Sequence, residues 1–215
     1  MNEPSIHPAP RLELRERIIE AAGQLFAEHG IKSITMDDIA ASFGISKRTL
    51  YEVFADKETL LIECIRHEME MEKAYMQEIS ESCNVLEILL KRYQRSIERY
   101  HATNRRFFDD IQKYPRAYEF LKNGNNRTTE DAVNFFREGV RQGFFREDIK
   151  FPIVNHLLRA QMDILMESDL CKTYPFLDVY ESIMFTFLRG ISTPKGAIAL
   201  DEFICEYRKH PQEKN

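Results

Sequence analysis

Apolar residues recur at helical spacing almost from the start of the chain. Leu14, Ile18, Ala22, Leu25 and Phe26 fall on one face of a helix from Arg11 to His29, and Gly30 follows as its natural stop. Thr35 opens a second, short helix. Asp38 lies three residues on, a spacing that lets hydroxyl and carboxylate each bond the other's backbone N–H. Met36, Ile39, Ala40 and Phe43 give that helix its apolar contacts, and Gly44 ends it. Ser46 is placed to cap a third helix, whose buried side is Leu50, Val53 and Phe54. Asp56 caps a fourth, which runs without Gly or Pro to about Ser80.

The pattern continues beyond. Val85, Leu86, Leu89, Leu90, Tyr93, Ile97 and Tyr100 mark a fifth helix, and Asn104 caps a sixth that carries Phe107, Phe108 and Ile111. Pro115 interrupts that run, a short piece continues to Leu121, and Asn123 to Asn126 reads as a loop. A helix from Thr128 to Gln142 presents Val133, Phe136 and Val140, and Gly143 closes it. Two long helices follow, at 151–168 and 175–192, and a short one from Leu200 to Arg208 after Pro194. The helix at 175–192 is apolar around most of its circumference and must be covered on two sides. No β-like alternation, repeat or low-complexity tract appears. The expected fold is all-α with nine to ten helices. Residues 1–10, with three prolines, read as a disordered arm, and 211–215 as a disordered tail.

Composition agrees. Eight Gly and eight Pro in 215 residues suit long helices better than many tight turns, and 43% hydrophobic residues supply a core. A net charge of −5 argues against a surface coated non-specifically with nucleic acid, though not against a small basic footprint. Cys64, Cys83, Cys171 and Cys205 have no CxxC spacing, so neither a zinc pattern nor a disulfide framework is expected. The N-terminus lacks the basic-then-apolar order of a signal peptide, and no apolar stretch is long enough to span a bilayer. A cytoplasmic protein with no membrane partner is the expectation. His67 and Glu68 begin an H-E-x-x-H-like run, but the position of the second His is Met71. No phosphate-binding Gly-rich loop or nucleophile elbow is found, so no enzyme, cofactor, metal or catalytic residue is expected.

One window carries more than packing. Helix, Gly-containing turn and helix, each about two turns long, is the geometry of a helix-turn-helix, whose second helix enters the DNA major groove. Burying Leu50, Val53 and Phe54 leaves Lys47, Arg48, Tyr51 and Glu52 outward, with Thr49 at the edge. Lys and Arg reach phosphates or guanine edges, and Tyr and Thr hydroxyls donate to phosphate oxygens. For Lys47 and Arg48 alone a solvated helix face is the favoured reading. The coincidence of cap, turn glycine, buried face and outward donors favours DNA.

The stretch from Arg17 to Leu61, RIIEAAGQLFAEHGIKSITMDDIAASFGISKRTLYEVFADKETLL, closely resembles the N-terminal domain of the TetR/AcrR family of bacterial transcription regulators. The match lies in I-x-x-A-A-x-x-L-F-A-x-x-G, in T-x-x-x-I-A, and in G-I-S-x-x-T-L-Y-x-x-F-x-x-K-E-x-L-L. The resemblance implies that residues 11–57 bind DNA and that 58–210 form a helical ligand-binding and dimerisation bundle reached through the long fourth helix. It implies phosphate contacts for Tyr51 and Lys57 and a role for Thr35 at the start of the second helix. It places Ser46, Lys47, Arg48 and Thr49 at the DNA, the last three setting the operator sequence. Glu52 is less usual there, and accepting from a cytosine or facing solvent both remain open.

It further implies a homodimer through about 151–168 and 176–192, a double-stranded operator, and a small-molecule effector between the helices of the bundle. Candidate lining residues are Tyr93, Phe107, Phe108, Ile111, Phe136 and Met162, with core packing as the competing reading of each. Lys91 or Arg95 could meet an acidic ligand, or simply face solvent. The functional expectation is a repressor released from a palindromic operator by a ligand. An activator, a ligand-independent regulator of the same fold, and a helical adaptor or enzyme without DNA binding are the alternatives.

Overall fold

A computed structural model describes residues 8–124, 129–167 and 170–209. Part of the expected arm, part of the loop after Asn123 and the tail 211–215 lie outside the described residues. Twelve helices are present among the described ones: α1 (Pro8–His29), α2 (Met36–Ser42), α3 (Lys47–Val53), α4 (Lys57–Ser80), α5 (Val85–Ala102), α6 (Arg105–Ile111), α7 (Pro115–Gly124), α8 (Thr129–Arg141), α9 (Phe151–Glu167), α10 (Leu170–Thr173), α11 (Phe176–Ile191) and α12 (Pro194–Lys209). The count exceeds nine to ten because short pieces such as the single turn α10 stand as separate helices. The fold is all-α, with one isolated antiparallel bridge among the described residues, between Phe145 and Ser192.

Two helix starts come earlier than expected for the same reason, while α7 runs to Gly124 and so takes in Asn123 and Gly124 of the expected loop. Pro8 and Pro10 lie in the first turn of α1 rather than in an arm, and Pro194 opens α12 six residues before Leu200. The first turn of a helix has N–H groups without intrahelical partners, so a proline there sacrifices nothing. At α12 the Thr193 hydroxyl accepts from Gly196 N at 3.2 Å and completes the start.

The chain packs into two compact units, Met1–Tyr75 with Glu98–Asn125, and Met76–Ile97 with Asn126–Asn215. In the first, Ile18, Ala22, Phe26, Ile39, Leu50, Leu60, Leu61, Ile111 and Ala117 are wholly inaccessible. They come from α1, α2, α3, α4, α6 and α7, so α6 and α7 share the core of the helix-turn-helix. Polar contacts fasten them. Asn104 N donates to Ala27 O (2.7 Å) and Asn104 Nδ2 to Glu28 O (3.1 Å), satisfying carbonyls at the end of α1. Lys32 N donates to the buried Asp110 carboxylate (2.8 Å). Arg116 bonds both Asp56 (2.9 Å) and Glu58 (3.0 Å). Gly30 must be glycine in this arrangement: its φ is +86°, and a Cβ would sit 2.7 Å from Arg106 Cβ.

In the second unit, Tyr93, Phe136, Phe145, Phe151, Leu188 and Leu200 are buried. Phe136 stacks on Phe151 with ring centroids 5.3 Å apart. Helix α11 buries Phe185, Leu188 and Ile191, while Ile183, Met184 and Phe187 are half-buried. Helix α9 buries Phe151 and Leu165 but leaves Ile153 and Leu157 each 56% exposed.

Candidate nucleic-acid interface

The helix-turn-helix is built by three local devices that the sequence signals. At α2, Asp38 N donates to Thr35 Oγ1 (3.1 Å) and Thr35 N to Asp38 Oδ2 (2.8 Å), a complete capping box. The Thr35 hydroxyl and amide hold the Asp38 carboxyl below its ordinary range. At the turn, Gly44 takes φ +63°, and Ile45 N donates to Ala40 O (3.1 Å). At α3, Thr49 N donates to Ser46 Oγ (3.0 Å). Leu50 and Phe54 then lock the helix down, 0% and 1% exposed, with Val53 half-buried.

What remains outward is the expected set. Ser46, Lys47 and Arg48 are exposed, Thr49 is half-buried beside Ser46 Oγ (2.8 Å), and Tyr51 is 42% exposed. The two cations are already paired. Lys47 Nζ lies 2.7 Å from an Asp37 carboxylate oxygen, and Asp37 belongs to α2. That bond raises the Lys47 pKa, so the ammonium stays charged. Arg48 Nε donates to Glu52 Oε1 at 3.0 Å, one turn along α3. Glu52, open in the sequence, is therefore a partner of Arg48. The i,i+4 spacing signals that pair, whereas the Asp37 partnership depends on the interhelical turn.

Lys57 behaves differently from an exposed phosphate contact. Its Nζ donates to Ile31 O and lies 5.7 Å from the centre of the Phe26 ring and 5.9 Å from that of Tyr114. Burial pulls its pKa below the ordinary lysine value, against the pull of Asp110 and Asp38. In this state the amine ties α4 to the loop after α1. Replacing Lys57 with Ala leaves the Ile31 carbonyl without that donor. The expected cost is about 1–3 kcal/mol in urea denaturation. An unchanged midpoint would show that the contact contributes nothing to stability.

The six candidate effector residues divide between the units. Phe107, Phe108 and Ile111 belong to the first, where Ile111 is fully buried and Phe108 stacks on Tyr100 at 5.6 Å. Tyr93, Phe136 and Met162 belong to the second, where Tyr93 and Phe136 are core residues and Tyr93 donates to Glu181 (2.8 Å). Neither of two cavities in the second unit is lined by any of the six. One, about 320 Å³, lies among Val133, Arg137, Ile149, Lys150, Phe151 and Ile153, and the other, about 280 Å³, among Met76, Cys83, Val85, Ile88 and Phe135. No described helix is long and apolar enough to cross a membrane.

A capped helix-turn-helix whose second helix turns cations, hydroxyls and a tyrosine outward defines a DNA-binding protein of the helix-turn-helix class. Comparison with known proteins gives the family. Residues 18–64 match the family described as bacterial regulatory proteins, tetR family. The HTH-type transcriptional repressor KstR2 of Mycobacterium tuberculosis (strain H37Rv) is 30% identical over 152 residues, covering 67% of this chain and 76% of that protein. The HTH-type transcriptional regulator UidR of Escherichia coli K12 is 28% identical over 148 residues, 67% and 75% of the respective chains. Among solved structures, the ketosteroid transcriptional regulator KstR2 of M. tuberculosis superposes with a TM-score of 0.51 at 25% identity, covering 84% of this chain and 95% of that one. A regulator from Saccharomonospora viridis in complex with choline shares the fold, with a TM-score of 0.63, 20% identity and coverage of 85% and 99%. The chain belongs to the tetR family and is a DNA-binding transcriptional regulator.

Proposed function

We propose that the chain is a repressor, acting in the bacterial cytoplasm, that binds a palindromic or near-palindromic operator as a homodimer and leaves it when a small molecule occupies the body after residue 57. The observation that carries the reading is the outer face of α3. Lys47, Arg48 and Tyr51 are exposed on it and Thr49 lies half-buried at its edge, on a helix anchored by a fully buried Leu50. A twofold dimer places two such helices one DNA turn apart, about 34–36 Å.

The self-association surface is α9 with α11, where Ile153 and Leu157 offer apolar area. The effector shifts the population toward a form whose recognition helices no longer match the operator spacing, and α4, which continues from the first unit into the second, transmits it. Tyr93, Phe107, Phe108, Ile111, Phe136 and Met162 would require rearrangement of packed side chains to line such a site. The solved relative is named as a ketosteroid regulator, so apolar fused-ring compounds are the first effectors to test.

Fluorescence anisotropy with promoter DNA tests the reading. Specific binding that survives competitor DNA and weakens with salt is expected. Tyr51→Phe, which removes one hydroxyl donor to phosphate, is expected to weaken binding to every sequence by a similar factor of roughly five to ten. Absence of specific binding across the chain's own promoter region sinks the proposal.

A further inference from the structure

Two cations stand side by side on the recognition helix, and their partners separate their roles. We propose that Arg48, held by Glu52, reads a G·C base pair, while Lys47, held by Asp37, contributes only to backbone affinity. The proposal rests on the regulator reading above and assigns the base-reading position within it.

The geometry of the guanidinium is the first argument. Glu52 Oε1 takes the Nε hydrogen of Arg48 at 3.0 Å. That bond does not engage the Nη1/Nη2 edge, and this edge is the fork that matches guanine O6 and N7. A carboxylate at Nε also fixes the plane of the fork, which would otherwise rotate on a flexible stem. The second argument is the place of the partner. Glu52 lies one turn along the same helix, so its hold on Arg48 moves with the recognition helix, whereas the partner of Lys47 sits on α2.

Lys47 has the opposite character. Its ammonium is a point charge without a fork, pinned 2.7 Å from Asp37 on the neighbouring helix. A point charge suits phosphate and carries little base information. The two cations are each faced by one carboxylate, so the face has little net positive charge of its own. Binding in which electrostatics is muted and sequence is emphasised follows. Exposed pairs of this kind contribute little to stability, so changing them tests recognition rather than folding.

The experiment is selection from a random DNA library with the purified full-length chain, followed by affinity measurements over a salt series. Arg48→Ala is expected to lose preference at one base pair per half-site, with discrimination there falling about tenfold or more. Glu52→Ala is expected to lose preference at that same pair. Glu52→Gln keeps an acceptor oxygen for Nε, so it is expected to restore the preference. It also deletes a negative charge, so binding to all sequences tightens and the salt slope steepens. Asp37→Asn is expected to tighten binding to all sequences without altering the selected motif.

Three outcomes overturn the proposal: full discrimination in Glu52→Ala, losses at different base pairs in Glu52→Ala and Arg48→Ala, or no restoration by Glu52→Gln. A motif altered by Asp37→Asn overturns the role given to Lys47. A wild-type chain that enriches no sequence overturns the regulator reading itself, and this inference with it.

Discussion

Replacing Phe26 with alanine is expected to lower the stability of the DNA-binding unit by about 3–5 kcal/mol, the range for truncating a buried phenylalanine. The side chain is 0% exposed and packs in the core that also contains Ile39 of α2, Leu50 of α3, Leu60 of α4 and Ile111 of α6. Its ring also carries the Lys57 ammonium at 5.7 Å, so the substitution removes a cation–π partner as well as volume. Small domains have only about 5–15 kcal/mol in total, so a large fraction disappears. Chemical denaturation followed by circular dichroism gives the number. Phe26→Leu keeps most of the volume and is expected to cost roughly 1–2 kcal/mol. A shift below about 0.5 kcal/mol for Phe26→Ala, the scale of a surface change, would show that this core is wrongly placed.

That core shows where sequence reasoning reaches and where it stops. The caps at Thr35, Ser46, Asp56 and Asn104 were legible because a cap is a bond across two or three residues. All four accept the expected N–H, with Asp56 taking Thr59 N at 2.6 Å. The buried positions of α1 to α3 were legible because one helical period fixes which side faces inward.

Arg116 left no comparable trace. Its partners Asp56 and Glu58 lie 60 and 58 residues away, and only tertiary packing brings α7 onto the start of α4. The family motif implies that Lys57 contacts DNA, and in this DNA-free state its amine donates to the Ile31 carbonyl beside two aromatic rings. A motif preserves residue type, not the partner chosen in the absence of DNA. The aromatic candidates illustrate a third limit. Phe107 and Phe136 look alike as periodic aromatics, but one packs in the first unit and the other in the second. Periodicity says that a side chain is inward and is silent on which core receives it.

The Leu157→Asp substitution is expected to break the proposed dimer at micromolar concentration and to reduce operator affinity by a factor on the order of 10²–10⁴. Leu157 and Ile153 lie one turn apart on α9 and are each 56% exposed, whereas Phe151 and Leu165 of the same helix are buried. In an isolated subunit an aspartate at 157 stays in water, so a stability change within about 0.5 kcal/mol is expected. In a twofold dimer the same patch meets its own copy, so both new carboxylates lose water close to each other. Folding and association are thereby separated within one variant. Each subunit would still carry an intact α3, so half-site binding persists while the gain from holding two recognition helices together is lost. Sedimentation analysis gives the mass, circular dichroism the fold, and anisotropy on full and half operators the affinity. If Leu157→Asp remains dimeric with full operator affinity, α9 is not the contact. The same substitution at Ile153, one turn away, is expected to behave alike, and a difference between the two would locate the twofold axis along the helix.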